Sequence, residues 1–164
     1  VIIPGIGIVE KYIGMRENLE ASGFQRFFDG MGIFEISART DFFRNREGRN
    51  VPIVTDDRLK EMCFGEYEGI ENSFSIPDCP INLLFFHPEQ YTSSIGGAET
   101  FEELFGRTGE FLDEVIYPQI KEGKDILIVG HGAMNASIVC RVKNLPLSEF
   151  WNAGLDQCKM MRLL

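Results

Sequence analysis

A chain of 164 residues, 44% hydrophobic and 25% charged, is long enough to bury the core of one domain. The formal net charge of −9 argues against a nucleic-acid partner, because such a chain would not neutralise phosphates wholesale. A small anionic substrate is still compatible with this charge, provided that a local basic pocket overcomes the global field.

The cysteines and histidines are too scattered to form a structural framework. Four cysteines form no C-x-x-C pair, and only two histidines are present to assist them. We therefore expect no disulfide framework, no metal site and no organic cofactor, and scattered thiols favour a cytoplasmic protein. No apolar run is as long as a membrane span and no basic segment precedes a signal-like stretch, so we also expect no membrane association.

The first half of the chain and its middle carry short elements. Residues 1–9 are apolar but interrupted by a proline and two glycines, which predicts a strand running into a loop. Residues 50–59 resemble a short strand after a turn. The proline-rich stretch 73–97 indicates an irregular excursion with one helical turn.

The clearest helix is predicted over residues 99–116, where apolar side chains recur on one face of a 3.6-residue period. Thr100 and Glu103 have the spacing of a capping box at its start. We expect Pro118 to limit its end, because a residue that precedes proline disfavours the helical conformation.

The segments that follow this helix define the fold class. Residues 125–130 form a continuous apolar run, typical of a strand buried on both faces of a parallel sheet. Residues 133–145 then continue as a helix, with Ile138, Val139, Val142 and Leu145 on one side. The succession predicts an α/β fold of three layers: a mostly parallel sheet, with 125–130 as an interior strand, and helices on both faces. We expect a single domain over residues 1–164.

His131 directly follows the predicted interior strand and precedes the helix. Ligands bind at this edge in open α/β sheets, and the first-turn amides of the helix, at Gly132 and Ala133, favour an anion. Gly130 and Gly132 also let a ligand approach the backbone closely. The alternative is a histidine that only caps the strand or binds a carbonyl, and the pattern itself leaves both interpretations open.

Glu61 is the second candidate for chemistry. It belongs to an acidic run over residues 56–68, and such a run is most often a solvated turn. Glu61 differs from the other carboxylates because it lies between Leu59 and Met62, in the most apolar setting. A carboxyl group in such a setting is more readily kept protonated, which suits it to donate a proton at neutral pH.

Four ordered stretches together resemble the histidine phosphatase superfamily, the phosphoglycerate mutase-like proteins: RLKEMCFGEYEG, GGAETFEELFGRTGEFLDEV, ILIVGHGAMNASIV and LPLSEFWN. The resemblance covers residues 50–164. It implies that His131 is the second histidine of the family's site, which binds the transferring phosphoryl group. It also implies that Glu61 protonates the leaving oxygen, and that arginines complete the phosphate pocket.

The start of the chain departs from the family pattern. The resemblance implies a nucleophilic histidine in an R-H-G motif at the end of the first strand, but no histidine precedes His87. We expect His87, in the proline-rich excursion, to be a loop histidine without a nucleophilic role. The next phosphate-binding arginine would be Arg39 or Arg44, and the pattern does not choose between them.

The resemblance implies a phosphomonoester hydrolase that acts on a small phosphorylated substrate through a phosphohistidine intermediate. One alternative is phosphoglycerate mutase-type transfer, although residues 70–95 contain no Arg or Lys and dedicated mutases carry a long basic insertion there. The others are a catalytically inactive phospho-ligand binding relative and an interaction protein that uses only the fold. Because Glu61 and His131 keep their full context, we expect an active phosphatase whose nucleophile this sequence does not show. A homodimer is compatible with the sequence.

Overall fold

A computed structural model describes residues 6–10, 31–35, 53–70, 76–155 and 160–164. The strands of this part of the chain form one sheet in the order β3-β2-β4-β1-β5, with β1 at Ile6–Glu10, β2 at Met31–Glu35, β3 at Ile53–Val54, β4 at Asp125–Gly130 and β5 at Met160–Arg162. β4 lies in the middle and pairs in parallel with β1 and β2, while β5 joins β1 antiparallel. The mostly parallel sheet and the interior position of residues 125–130 are therefore confirmed.

β1 lies later in the chain than the sequence predicted. We expected a strand that runs into a loop within residues 1–9, but the strand spans Ile6–Glu10, and residues 1–5 lie outside the described residues. β1 pairs along its whole length with β4, and these ladder hydrogen bonds outweigh the weak strand propensity of glycine. Glu10 lies opposite Gly130, so both strands end at the same edge of the sheet.

The helices agree with the predicted order of elements. They are α1 at Asn82–Phe86, α2 at Phe101–Phe111, α3 at Tyr117–Lys121 and α4 at Gly132–Lys143. α1 and a 3-10 turn at Pro88–Gln90 supply the helical structure expected in the proline-rich excursion, and β3 is the short strand expected within residues 50–59.

The capping box predicted at the start of α2 is confirmed. Thr100 Oγ1 accepts a hydrogen bond from the Glu103 amide at 3.2 Å, and Glu103 Oε2 accepts one from the Thr100 amide at 2.8 Å. Two otherwise unpaired amides are thereby satisfied, which fixes where the helix begins.

The predicted end of this helix at Pro118 is wrong, because helical structure continues to Lys121. A π turn at Leu112–Ile116, with hydrogen bonds that span five residues, separates α2 from α3. Pro118 thus falls in the first turn of α3, where its missing N–H breaks no hydrogen bond of the helix.

α4 packs into the core and ends earlier than predicted. Ala133 to Cys140 are all buried, whereas Leu145, expected on the buried side, is 36% exposed. Asn144 adopts a left-handed conformation (φ 53°) and stops the helix after Lys143, and the Leu145 amide then donates to the Cys140 carbonyl. Leu145 therefore follows the helix instead of completing its apolar face.

The core lies between β4 and the helices α2 and α4. Fully buried residues of these elements and of the chain that follows α4 include Leu104, Phe111, Ile126, Ile128, Ile138 and Phe150. The chain before α2 and the π turn add further buried residues to the same cluster: Leu59, Met62, Ile81, Leu84, Leu112 and Ile116. Across the described ranges, none of the helices is long and apolar enough to cross a bilayer.

Candidate active site

β4 and α4 together place His131 at the carboxyl edge of the sheet. The strand is buried from Ile126 to Gly130, and α4 begins at Gly132. His131 is the residue before the helix, with an extended backbone and a half-buried side chain, and its carbonyl accepts the Asn135 amide at 2.8 Å. Because the first amides of a helix have no partner within it, the start of α4 presents hydrogen-bond donors next to His131.

Glu61 meets these donors from a distant part of the chain. Its Oε1 accepts the Met134 amide at 3.1 Å, and its Oε2 accepts the Ala133 amide at 3.4 Å. Oε1 also accepts the Met62 amide at 2.9 Å. The structure thus brings the Glu61 carboxyl group to the first turn of α4, directly after His131. The helix dipole favours a negative charge at this point, and the same donors suit a phosphate oxygen.

Arg107 of α2 holds the backbone of the segment that carries Glu61. Its Nη1 donates to the carbonyls of Arg58 at 2.6 Å and Lys60 at 2.8 Å, and its Nη2 donates to the Glu61 carbonyl at 3.3 Å. Glu99 binds the other edge of the guanidinium, with Nε–Oε1 at 2.6 Å and Nη2–Oε2 at 2.9 Å. The backbone of residues 58–61 is therefore fixed relative to α2.

A buried pair of hydroxyl groups joins α2 to α4. Ser137 Oγ lies 3.1 Å from Thr108 Oγ1 and 2.7 Å from the Met134 carbonyl, while Thr108 Oγ1 donates to the Leu104 carbonyl at 2.8 Å. Both side chains are fully buried. Since buried hydroxyls are costly without partners, this contact sets the register between the two helices.

A cleft of about 490 Å³ opens on the Arg107 side of this segment. Its charged walls mix both signs, with more acidic than basic side chains: Asp57, Lys60, Glu61, Glu99, Glu103 and Arg107. Glu61 lines this cleft, whereas no residue of α4 does.

Among the remaining predicted residues, His87 is described by the structure and does not join this arrangement. His87 follows α1 on the surface, with its side chain 59% exposed and its Nδ1 3.5 Å from Glu89 Oε1. Arg39 and Arg44 lie outside the described residues. Among the residues that the structure does describe, no group of three or more His, Cys, Asp or Glu side chains could hold a metal ion. The expectation of a cofactor-free site stays a prediction.

Sequence reasoning missed Arg107 and Glu99. Both lie within one of the stretches that resemble the family, and Arg107 is the single basic residue between Thr100 and Glu110. An isolated arginine on an acidic helix was the available signal, because such a residue needs a partner of its own when it is largely buried.

Comparison with known proteins identifies the family. The model of the "Histidine phosphatase superfamily (branch 1)" matches residues 43–164. The chain therefore belongs to the histidine phosphatase superfamily.

Two curated relatives carry different activities in their names. "Putative phosphoserine phosphatase 2" of Hydrogenobacter thermophilus is 31% identical over 105 residues, which is 63% of this chain and 50% of that protein. A 2,3-bisphosphoglycerate-dependent phosphoglycerate mutase of Cytophaga hutchinsonii is 28% identical over 111 residues, which is 68% of this chain and 52% of that protein. The chain spans about half the length of these curated relatives.

The fold itself is that of known phosphatases. The crystal structure of the alpha-ribazole phosphatase from Shigella flexneri superimposes with a TM-score of 0.65, covering 96% of this chain and 88% of that one. The two share 17% sequence identity, so this likeness concerns the fold alone. The predicted α/β, phosphoglycerate mutase-like fold class is confirmed.

Proposed function

We propose that the natural protein hydrolyses phosphomonoesters of small molecules by the chemistry of its superfamily. The observation that carries the proposal is the meeting of the Glu61 carboxyl group with the Ala133 and Met134 amides, directly after His131. A carboxyl group, helix-end donors and an imidazole lie close together there, which supports the proposal because phosphoryl transfer depends mainly on positioning and charge stabilisation.

Each group has a distinct role in the proposed reaction. His131 donates a hydrogen bond to an oxygen of the transferring phosphoryl group, and the first-turn amides of α4, from Gly132 and Ala133 onward, assist it. A second histidine attacks phosphorus, and Glu61 gives its proton to the leaving oxygen. Arg39 or Arg44 would complete the phosphate pocket.

Glu61 and a bound phosphate would compete for the same amides. In the structure the carboxylate accepts these hydrogen bonds, as a phosphate oxygen would.

The nucleophile is the part of the proposal that this sequence does not supply. Its two histidines are His87 and His131, and β1 contains none. Glu10 at the end of β1 lies opposite Gly130, one residue before His131, so a histidine just after β1 would be suitably located. A catalytically inactive phospho-ligand binding relative is the second candidate, and the same absence favours it.

The two candidates differ in whether a covalent intermediate forms. The protein expressed from its full natural gene should release inorganic phosphate from small phosphomonoesters and, after rapid quenching, carry an acid-labile phosphate. Binding of vanadate or phosphate without turnover would select the binding relative instead. Transfer of the phosphoryl group between phosphoglycerates with little hydrolysis would select the mutase, and no binding at all would leave an interaction protein.

We further propose a cytoplasmic protein that binds neither nucleic acid nor membranes; a homodimer is compatible with the sequence. The net charge of −9 supports the absence of nucleic-acid binding. Cell fractionation and light scattering of the full-length protein test the location and the oligomeric state.

A further inference from the structure

Two arginine–carboxylate pairs of similar geometry hold the acidic segment. Arg58 binds Asp56 with Nε–Oδ1 at 3.0 Å and Nη2–Oδ2 at 2.8 Å, and its Nη1 reaches Glu114 Oε2 at 2.6 Å. Arg107 binds Glu99 equally closely but also donates to the backbone carbonyls of residues 58, 60 and 61. The two pairs therefore differ in whether they hold the backbone beneath Glu61.

We propose that Arg107, oriented by Glu99, is a positioning residue that fixes the Glu61 carboxyl group for proton donation. The inference rests on the proposed function, since it deepens the role given there to Glu61. Arg107 acts only through the backbone of the segment, because its described contacts are to carbonyls and to Glu99.

The guanidinium is fully used in this position. Nε makes one hydrogen bond, and Nη1 and Nη2 make two each, which engages all five of its N–H groups. The Arg107 and Glu99 side chains are only 20% and 14% exposed, so water does not readily replace these contacts. A lysine has a single ammonium group and cannot reproduce a planar fork with donors on both edges.

The contacts close a ring around the candidate acid. Arg107 fixes the Glu61 backbone, and the next residue, Thr108, meets Ser137 of α4. α4 in turn presents the Met134 amide to the Glu61 carboxylate. A displacement of Glu61 relative to α4 must therefore break at least one of these contacts, and a shift of about 1 Å at a catalytic group can cost about 100-fold in rate.

The test compares Arg107→Lys with Arg58→Lys. The control removes a bidentate pair of the same geometry from the same segment but leaves the Arg107–carbonyl contacts in place. In NMR spectra of the full-length protein, the Ala133 and Met134 amide signals report the Glu61 contact, and Glu61→Gln gives their positions when the carboxylate is lost. We expect Arg107→Lys to move both signals toward the Glu61→Gln positions, and Arg58→Lys to leave them in place.

Kinetics separate positioning from simple destabilisation. With an alkyl phosphate substrate, Arg107→Lys should lower kcat about 100-fold with little change in KM, while Arg58→Lys keeps both. Should Arg107→Lys fail to fold, Glu99→Gln, which keeps the size of the side chain, replaces it in both measurements.

Unmoved Ala133 and Met134 signals in a folded Arg107→Lys or Glu99→Gln protein would overturn the inference. So would signals that move equally in the Arg58→Lys control. Because the amide signals do not depend on turnover, they still decide the positioning role if the protein proves to have no phosphatase activity. Moved signals without any hydrolysis would retain Arg107 as a positioning residue and reject the proposed function alone.

Discussion

The ends of β4 and β1 lie side by side but are built very differently. After β4 comes His131, followed by helix-end amides that already hold the Glu61 carboxylate. β1 reaches the same edge, with Glu10 opposite Gly130, yet it contributes no histidine. One strand end carries the candidate site, and the other lacks the histidine that the family resemblance implies there.

This difference teaches that the support of the acid does not depend on the nucleophile. The contacts that hold Glu61 come from α2 and α4, and none of those described involves β1. A chain can therefore keep the geometry of acid and anion donors whether or not a histidine stands after β1. The predictions below test how much of the function resides at the β4 end.

Removing the imidazole at the end of β4 should have the largest effect. His131→Ala is expected to abolish measurable oxyanion binding and to lower kcat about 10²–10³-fold, because one donor to the developing charge is worth roughly 2.7–4 kcal/mol. The matched control is His87→Ala, which changes an exposed surface histidine and should leave turnover as it was. Calorimetric titration with vanadate and steady-state kinetics check both; equal losses in the two variants would contradict a site at His131.

Neutralising the candidate acid should give a smaller effect that depends on the substrate. Glu61→Gln cannot donate the proton, so turnover of an alkyl phosphate should fall about 100-fold. An aryl phosphate, whose leaving group needs little protonation, should be much less affected. Glu110→Gln, on the exposed side of α2, is the control. An equal loss with both kinds of substrate would remove Glu61 from the acid role.

Alanine substitutions at two glycines should affect stability differently, one at the end of β4 and the other where α2 meets α4. A Cβ at Gly130 would collide with the buried Met134 side chain, so Gly130→Ala should cost about 1–3 kcal/mol. A Cβ at Gly109 would lie 2.6 Å from the guanidinium of Arg141, which is 41% exposed and can swing aside. Gly109→Ala should therefore be neutral or stabilise by up to about 1 kcal/mol, because alanine is the better helix former. Urea unfolding of both variants measures the two changes in the free energy of unfolding. Losses of the same size would contradict this prediction.

The helix cap at the start of α2 should give the smallest effect. Thr100→Ala should cost about 1 kcal/mol of stability and leave turnover unchanged. Hydrogen bonds from the Thr100 amide and hydroxyl hold the pKa of Glu103 below its usual range. The pKa of Glu103 is therefore lower in the folded protein than in the unfolded chain. The resulting contribution to stability is fully present above the unfolded pKa and is lost as pH falls through the folded pKa. Thermal unfolding measured from pH 7 to pH 3 should thus show that acid lowers the stability of Thr100→Ala less than that of the unsubstituted protein. An equal loss in both proteins would show that the cap does not contribute to the pH dependence of stability.

The elements that could be predicted from the sequence are those with a strong local pattern. The buried run of β4, the amphipathic face of α2 and its capping box are properties of neighbouring residues. The bounds of β1 depend instead on its pairing with β4, and the continuation past Pro118 depends on a π turn without a sequence signature. Such features arise from contacts between distant segments or from hydrogen-bond geometry, which residue types do not encode.

The same division applies to the candidate site. The settings of His131 and Glu61, together with the family resemblance, identified both residues as candidates. They did not predict that the Glu61 carboxylate would accept hydrogen bonds from amides of α4 that lie 72 and 73 residues further along the chain. The role of Arg107 was not predicted, because three of its hydrogen-bond partners are backbone carbonyls, which every sequence offers. A fixed backbone segment becomes evident only when the fold shows which side chain reaches it.

The π turn between α2 and α3 has a consequence for how this helix can change in length. A π turn holds one residue more than the matching stretch of α-helix, so Leu112–Ile116 behaves as an insertion that the helix has absorbed. Deleting one residue there would restore an unbroken α-helix, while the residues downstream keep the faces that they now occupy. Pro118 would then stand in the interior of a regular α-helix, where its ring clashes with the carbonyl of the fourth residue before it. A deletion at this turn should thus be far more harmful than one in an exposed loop, although it would make the helix more regular.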